Sequence, residues 1–119
     1  MKVVLDTNFL ISASNFKLDI LLELKGNDLF VTEPVLRELE GISKGNSKDA
    51  MAARLALRMI EEKGLKVLES KEKEADNSLL EYGKRGYAVA TQDKKLKDKL
   101  KRAGVKIIFI RQKKYVVFE

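Results

Sequence analysis

Four times in this chain a segment rich in basic residues ends, a glycine follows, and an apolar run begins: ELKGNDLFV, EEKGLKVL, GKRGYAVA and KRAGVKIIFI. Each reads as a helix C-terminus entering a strand, because Lys and Arg favour the negative end of the helix dipole and Gly takes the left-handed cap without a Cβ penalty. With the apolar opening of the chain, five short strands are expected, near Val3–Leu5, Leu29–Val31, Lys66–Leu68, Tyr87–Ala90 and Ile107–Ile110. Strands that alternate with helices predict an α/β fold with a mainly parallel sheet covered on both faces. The helices are expected within Asn8–Leu24, broken near Asn15, and over Pro34–Ser43, Lys48–Lys63, Glu72–Lys84 and Lys94–Arg102. Pro34, the lone proline, suits a first helical turn. Ser47 is placed to cap the helix whose apolar stripe is Met51, Ala52, Leu55, Ala56, Met59 and Ile60. SKGNSK (Ser43–Lys48) reads as a mobile loop, and the tail QKKYVVFE offers an edge strand.

A chain of 119 residues forms one domain, here residues 1–119, able to bury about two thirds of its unfolded surface. No stretch approaches the roughly 20 apolar residues of a membrane span, and no leader-like segment opens the chain, so a cytoplasmic protein is expected. Cysteine and histidine are both absent. That removes thiolate nucleophiles, Ser-His-Asp triads, imidazole bases and ordinary zinc sites. Only oxygen ligands remain, so a metal held here would be a hard cation, Mg²⁺ or Mn²⁺. The net charge is +6, unevenly spread: from Lys84 to Lys114 twelve Lys or Arg face two acids, Asp93 and Asp98, a local surplus of ten. Such density suits an anionic partner, nucleic acid before membrane. A solvated, thermophile-like Lys/Glu surface accounts for the composition equally well.

Four acids stand in apolar surroundings. Asp6 and Asp93 each leave a strand and enter a helix, where capping alone would explain them. Asp76 has no such explanation: at about 100° per residue it lies between Leu79 and Leu80 and over Gly83, inside a helix expected to start several residues earlier. Glu38 borders the stripe of Val35, Leu39 and Ile42, where a snorkelling edge residue is the plain reading. An unpaired buried carboxylate costs several kcal/mol unless it is paired, protonated or metal-bound. In a parallel sheet the strand C-termini share one crevice at a topological switch point. Were all four acids to meet there, a hard dication would resolve their repulsion, about 4 kcal/mol for two charges 4 Å apart at an effective dielectric near 20.

The chain also resembles a known family, the PIN-domain nucleases. The resemblance is carried by VVLDTNFLI, by the acid in TEPVLRELE, by EADNSLL and by YAVATQDKKL, in the order Asp, Glu, Asp, Asp. The end, DKKLKDKLKRAGVKIIFIRQKKYVVFE, is similar to PIN proteins related to the eukaryotic small-subunit rRNA-processing endonuclease. The resemblance implies a three-layer α/β/α sandwich around a mainly parallel five-stranded sheet, and a divalent-metal nuclease acting on RNA. Asp6, Glu38, Asp76 and Asp93 become catalytic, metal-binding acids, with Asn8 and Thr91 supporting them by hydrogen bonds. Some family members carry a further acid where this chain has Asn77 or Lys95, which leaves one-metal and two-metal chemistry both open. A homodimer is a common arrangement among small relatives.

In this reading Lys94, Lys95, Lys97, Arg111, Lys113 and Lys114 hold the RNA backbone against the repulsion of the acids. The alternatives are a toxin-type ribonuclease restrained by an antitoxin, a PIN module that binds RNA without cutting, and a receiver-like Mg²⁺-binding signalling domain. The last is disfavoured because the first strand lacks an adjacent acid pair.

Overall fold

The computed structural model describes residues 1–119. Its elements run β1 (Lys2–Leu5), α1 (Thr7–Asn15), α2 (Ile20–Glu23), β2 (Asp28–Thr32), α3 (Glu33–Ile42), α4 (Lys48–Glu62), β3 (Lys66–Leu68), α5 (Ala75–Lys84), β4 (Ala88–Ala90), α6 (Lys94–Arg102), β5 (Ile107–Arg111) and β6 (Tyr115–Phe118). One sheet has the order β3-β2-β1-β4-β5-β6. Its first five strands are parallel. The sixth comes from the tail, which was expected to offer an edge strand, and runs antiparallel on β5, taking the sheet from the expected five strands to six. A turn containing two consecutive left-handed residues, Gln112 and Lys113 (φ 55° and 58°), reverses the chain before it. Non-glycine residues seldom adopt this conformation.

Strand β1 lies at the centre, and Val3, Val4 and Leu5 are all fully buried without alternation. A strand covered by helices on both faces requires that pattern. The core around it takes Phe9 and Leu10 from α1, Leu39 from α3, Leu79 from α5 and Leu96 and Leu100 from α6. Helices α1, α3 and α4 pack on one another, and α5 packs against α3 and α6. No helix is long and apolar enough to cross a membrane.

Three details differ from expectation. Helix α5 starts at Ala75 rather than Glu72, with Glu74 in extended conformation at its N-cap, which puts Asp76 in the first turn. On α4, Met51 and Leu55 are 58 % and 54 % exposed. The stripe against the core is instead formed by Ala52, Ala53, Ala56 and Ile60, because small alanines let α1 and α3 approach closely and leave the longer side chains outside. The loop after α3 is braced: the Arg54 guanidinium donates to the carbonyls of Ser43 and Gly45 at 2.6 and 3.0 Å.

Among the glycines, Gly83 is the one packed tightest, since a Cβ there would sit 2.9 Å from Val105 Cγ1 and 3.1 Å from its Cγ2. Alanine gains about 1 kcal/mol over glycine in an open helix, but overpacking a core costs about 1–3 kcal/mol. Gly83→Ala should therefore destabilise the fold, read as a lower urea midpoint. Leu55→Gln on the open face of α4 should leave that midpoint within about 0.5 kcal/mol of wild type.

Candidate active site

The strand order reverses between β1 and β4, and ligand crevices in open α/β sheets lie beyond the strand C-termini at such a point. Asp6 follows β1 directly. Its backbone N–H donates to the Ala90 carbonyl at 2.9 Å, one step beyond the β1–β4 ladder. Its Oδ1 accepts the Thr7 N–H at 2.7 Å as the N-cap of α1, and its Oδ2 accepts the Thr91 hydroxyl at 2.7 Å. The residue is only 3 % exposed. Burial raises its pKa to about 6. The bonds from Thr91 and Thr7 oppose that rise, and the carboxylates of Asp76 and Glu38 add to it.

Thr91 is fully buried, and its oxygen also accepts the Asp93 N–H at 3.1 Å. Asn8 Oδ1 accepts the Gln92 N–H at 3.0 Å and lies 3.3 Å from the Thr91 hydroxyl. The Gln92 side chain behaves like one more strand residue: its Oε1 accepts the Ile110 N–H at 2.6 Å and its Nε2 donates to the Ile110 carbonyl at 3.2 Å. These bonds hold the β4–α6 loop between α1 and β5. At its end Asp93 caps α6, accepting the Leu96 N–H on Oδ1 at 3.1 Å.

Glu38 and Asp76 reach the same edge from α3 and α5. Thr32, capping α3, meets Ser78 of α5 at 2.8 Å, and the Ser78 hydroxyl donates to the Ala75 carbonyl at 2.7 Å. Both hydroxyls are fully buried, so the two helices are locked together at the end of β2. A cavity of about 480 Å³ between them is lined by Glu38, Asp76, Glu74, Arg37 and Lys73, among others. Asp76, at the second position of α5 rather than deep inside it, gains from the positive end of the helix dipole. Its pKa is nonetheless raised, first by partial burial, then by Asp93 and Glu38, against the lowering pull of Lys99. Glu38 is exposed.

The four acids thus share one electrostatic neighbourhood. No three acidic side chains, however, stand close enough to one point to hold an ion in this arrangement. Unneutralised carboxylates repel one another, and Glu38 and Asp76, with no hydrogen bond fixing their oxygens, have freedom to turn apart.

Of the cationic residues, Lys94, Lys95 and Lys97 lie on α6 directly after Asp93, and Arg111 ends β5 on the same edge of the sheet. Lys97 Nζ lies 4.4 Å from the Phe109 ring centroid and the Arg111 guanidinium 5.3 Å from it. Lys113 Nζ lies 5.8 Å from the Phe16 ring centroid. Lys94, Lys95 and Lys114 are exposed. Five participants were not anticipated from the sequence: Thr32, Ser78 and Gln92 as braces, and Arg37 and Lys73 in the acid-lined cavity. Only Gln92 had a local signal, lying between Thr91 and Asp93.

The sequence profile of the PIN like domain family matches residues 3–113. The chain is a member of the PIN like domain family. It is 34 % identical to ribonuclease VapC4 of Methanocaldococcus jannaschii, covering 96 % of this chain and 93 % of that protein. It is likewise 34 % identical to ribonuclease VapC9 of Archaeoglobus fulgidus, covering 98 % and 87 %. Among solved structures, the PIN domain endonuclease Utp24 superposes with a TM-score of 0.83 at 25 % identity, over 99 % of this chain and 90 % of that one. The six-stranded sheet flanked by helices is this family's fold.

The raised pKa of Asp6 has a signed consequence for this PIN domain. Between about pH 4 and pH 6 the folded state binds a proton that the unfolded state has released, so stability falls as pH rises through this window and the deficit persists above it. A shift of about two units corresponds to about 3 kcal/mol, and Asn in place of Asp sacrifices one hydrogen bond worth about 1 kcal/mol. In EDTA, Asp6→Asn should therefore melt above wild type at pH 7.5 by the equivalent of about 1–3 kcal/mol, with the advantage shrinking as pH falls to 4. Thermal melts across that range check it.

Proposed function

We propose that this PIN domain is a divalent-metal-dependent endoribonuclease whose catalytic acids are Asp6, Glu38, Asp76 and Asp93. The observation that carries the reading is Asp6: a carboxylate almost wholly buried at the β1–β4 switch point, gripped by Thr91 and Thr7, and charge-coupled to acids from two further helices. A site made for capping alone has no use for that accumulation of negative charge, whereas an all-oxygen acidic set suits a hard dication. When bound, Mg²⁺ or Mn²⁺ supplies an activated water and neutralises charge on the attacked phosphate.

The chain's own groups do the rest. Thr91 holds one Asp6 oxygen and the backbone of Asp93, while Asn8 holds Gln92 between them. The two most fixed acids thereby keep their spacing across the crevice, and Glu38 and Asp76 approach from their helices as adjustable ligands. Lys97 and Arg111, steadied over Phe109, together with Lys94, Lys95, Lys113 and Lys114, bind the RNA backbone without reading its sequence. Hydrolysis leaving a 5′-phosphate follows from the family resemblance, as does the homodimer. RNA is favoured as substrate by the ribonuclease relatives, which match nearly the full chain.

Two settings share this chemistry. Likeness to the Utp24 PIN domain endonuclease supports endonucleolytic cutting, and the resemblance of the chain's end to PIN proteins related to the rRNA-processing endonuclease favours rRNA as the substrate. Likeness to the two VapC ribonucleases supports the toxin-type reading, in which a small antitoxin restrains the enzyme.

The test incubates single-stranded and structured rRNA fragments with Mn²⁺, Mg²⁺ or EDTA. Wild type should cut only with metal, and Asp6→Asn and Asp93→Asn should each lose about a hundredfold or more in rate, as when a group acting in the transition state is removed. Equal cleavage by all three proteins would mark a contaminant and end the reading. Binding of single strands in EDTA should fall with salt at a log–log slope near −0.7 per phosphate contacted. Arg111→Ala should make that slope shallower by about one contact.

A further inference from the structure

A cavity of about 690 Å³ lies at the other end of the sheet from the acids. It is bounded by residues that begin strands, Lys2 of β1, Asp28 of β2 and Lys66 of β3, and by Tyr87, which precedes β4. Strands of three to five residues at about 3.3 Å each separate it from the carboxylate crevice by roughly 10–17 Å. A volume of this size falls within the range of small-ligand sites, about 300–1,000 Å³.

Its rim carries four lysines, Lys2, Lys25, Lys63 and Lys66, against one acid, Asp28. All four lysines are exposed. The only two ion pairs in the molecule, Arg85–Glu81 and Lys101–Glu119, involve none of them. Two helices end at this rim, α2 before Lys25 and α4 at Lys63. Lysines commonly offset helix dipoles, but each helix end carries at most about half a negative charge. The rim therefore retains a surplus of about two positive charges after both dipoles and Asp28 are counted. Gly26 and Gly64 turn the chain there at φ 88° and 63°, and a Cβ built on either would meet no atom within 4 Å, so the mouth is open.

The floor is unlike the rim. Tyr87 stands edge-to-face against Phe30 and Tyr82, with ring centroids 5.3 Å apart in both pairs, and Leu24, Leu29 and Leu65 complete the apolar lining. Lys2 Nζ reaches within 5.5 Å of the Tyr87 centroid. An aromatic held in place by its neighbours, with one lysine at its ring and three more unpaired lysines lining the same cavity, suits a ligand that joins a flat ring to an anion. Stacking on an aromatic side chain and point-charge contact with phosphate are the two interactions such a surface offers.

We propose that this cavity is a second nucleotide-binding site, with the base against Tyr87 and the leucines and the phosphate among Lys2, Lys25, Lys63 and Lys66. The nucleotide comes either as a free nucleoside monophosphate or as one unit of an RNA strand. Neither needs the carboxylates or a metal, so the site stands or falls apart from the nuclease reading.

The test is NMR of the ¹⁵N-labelled full chain in EDTA, titrated separately with adenosine 5′-monophosphate, inorganic phosphate and a short single-stranded oligoadenylate. The amides of Gly26 and Gly64 should shift with the mononucleotide, and phosphate alone should bind far more weakly. The double variant Lys63→Glu/Lys66→Glu should weaken mononucleotide binding by about tenfold or more through charge reversal, while Lys63→Arg/Lys66→Arg should retain it. Both pairs lie on the surface, and matching spectra away from the cavity verify the fold. If the oligoadenylate shifts the same amides and the mononucleotide competes with it, the ligand is an RNA unit; if only the mononucleotide does so, the free nucleotide is. Unmoved Gly26 and Gly64 amides at millimolar mononucleotide, or equal binding by the charge-reversed variant, would overturn the proposal.

Discussion

The hydrogen bond between Thr91 and Asp6 joins residues 85 positions apart, and the site depends on it more than on any other single contact. It ties the ends of β1 and β4 together where the strand order reverses, and it supplies one of only two hydrogen-bond donors to a carboxylate that has almost no water. Two donors leave the charge under-compensated, since the pKa of Asp6 still rises to about 6. Such a group is held in place by the surrounding core, by Leu5 beneath it and Phe9 and Leu10 after it, all buried. The hydrophobic elements carry the stability, and the acid draws on it.

The same topology explains how charge is distributed over the molecule. In a parallel α/β unit every strand ends, and every following helix begins, on one edge. The N-termini of the helices that directly follow strands, with their partial positive charge, therefore collect where Asp6, Asp76 and Asp93 lie, and the C-termini of the helices that feed strands collect at the opposite edge. The basic-then-glycine grammar of the sequence belongs to that opposite edge. Two of the four lysines around the far cavity, Lys25 and Lys63, belong to that repeated device, each standing directly before its glycine.

Much of this was legible because it is local. Glycine after basic residues marked the helix ends, unbroken apolar runs marked doubly covered strands, and Asp6 and Asp93 follow strands closely enough for the switch-point argument to place them. What was illegible depended on partners remote in sequence. Thr32 and Ser78 are 46 positions apart, and neither carries a signal that it will lock α3 to α5. The start of α5 was misplaced because KEKEAD contains good helix formers throughout, and the extended Glu74 is set by tertiary context. On α4 the apolar period marked a broad face, but periodicity does not reveal that the alanines fit against α1 and α3 while Met51 and Leu55 do not. The tail's edge strand was legible in YVVF, but its hairpin turn was not, because Gln112 and Lys113 take left-handed conformations that Asn-Gly would have announced.

The four acids divide by how firmly they are held, and that division bears on how a cation would be received. Asp6 and Asp93 each spend an oxygen on a helix cap, and Thr91 touches both residues, so their positions are fixed by backbone. Glu38 and Asp76 have no such bond and answer chiefly to electrostatics. No three acids stand around one point, and like charges on the two unfixed acids repel. A dication reverses the sign of that force: near two fixed carboxylates it attracts the two mobile ones, at the entropic cost of ordering two side chains, about 1–2 kcal/mol each. Coulomb attraction between a divalent ion and a carboxylate at 4 Å is about 8 kcal/mol even at an effective dielectric of 20. Under the proposed function, the two backbone-held acids therefore set where an ion would sit, and Glu38 and Asp76 would complete its coordination by turning toward it.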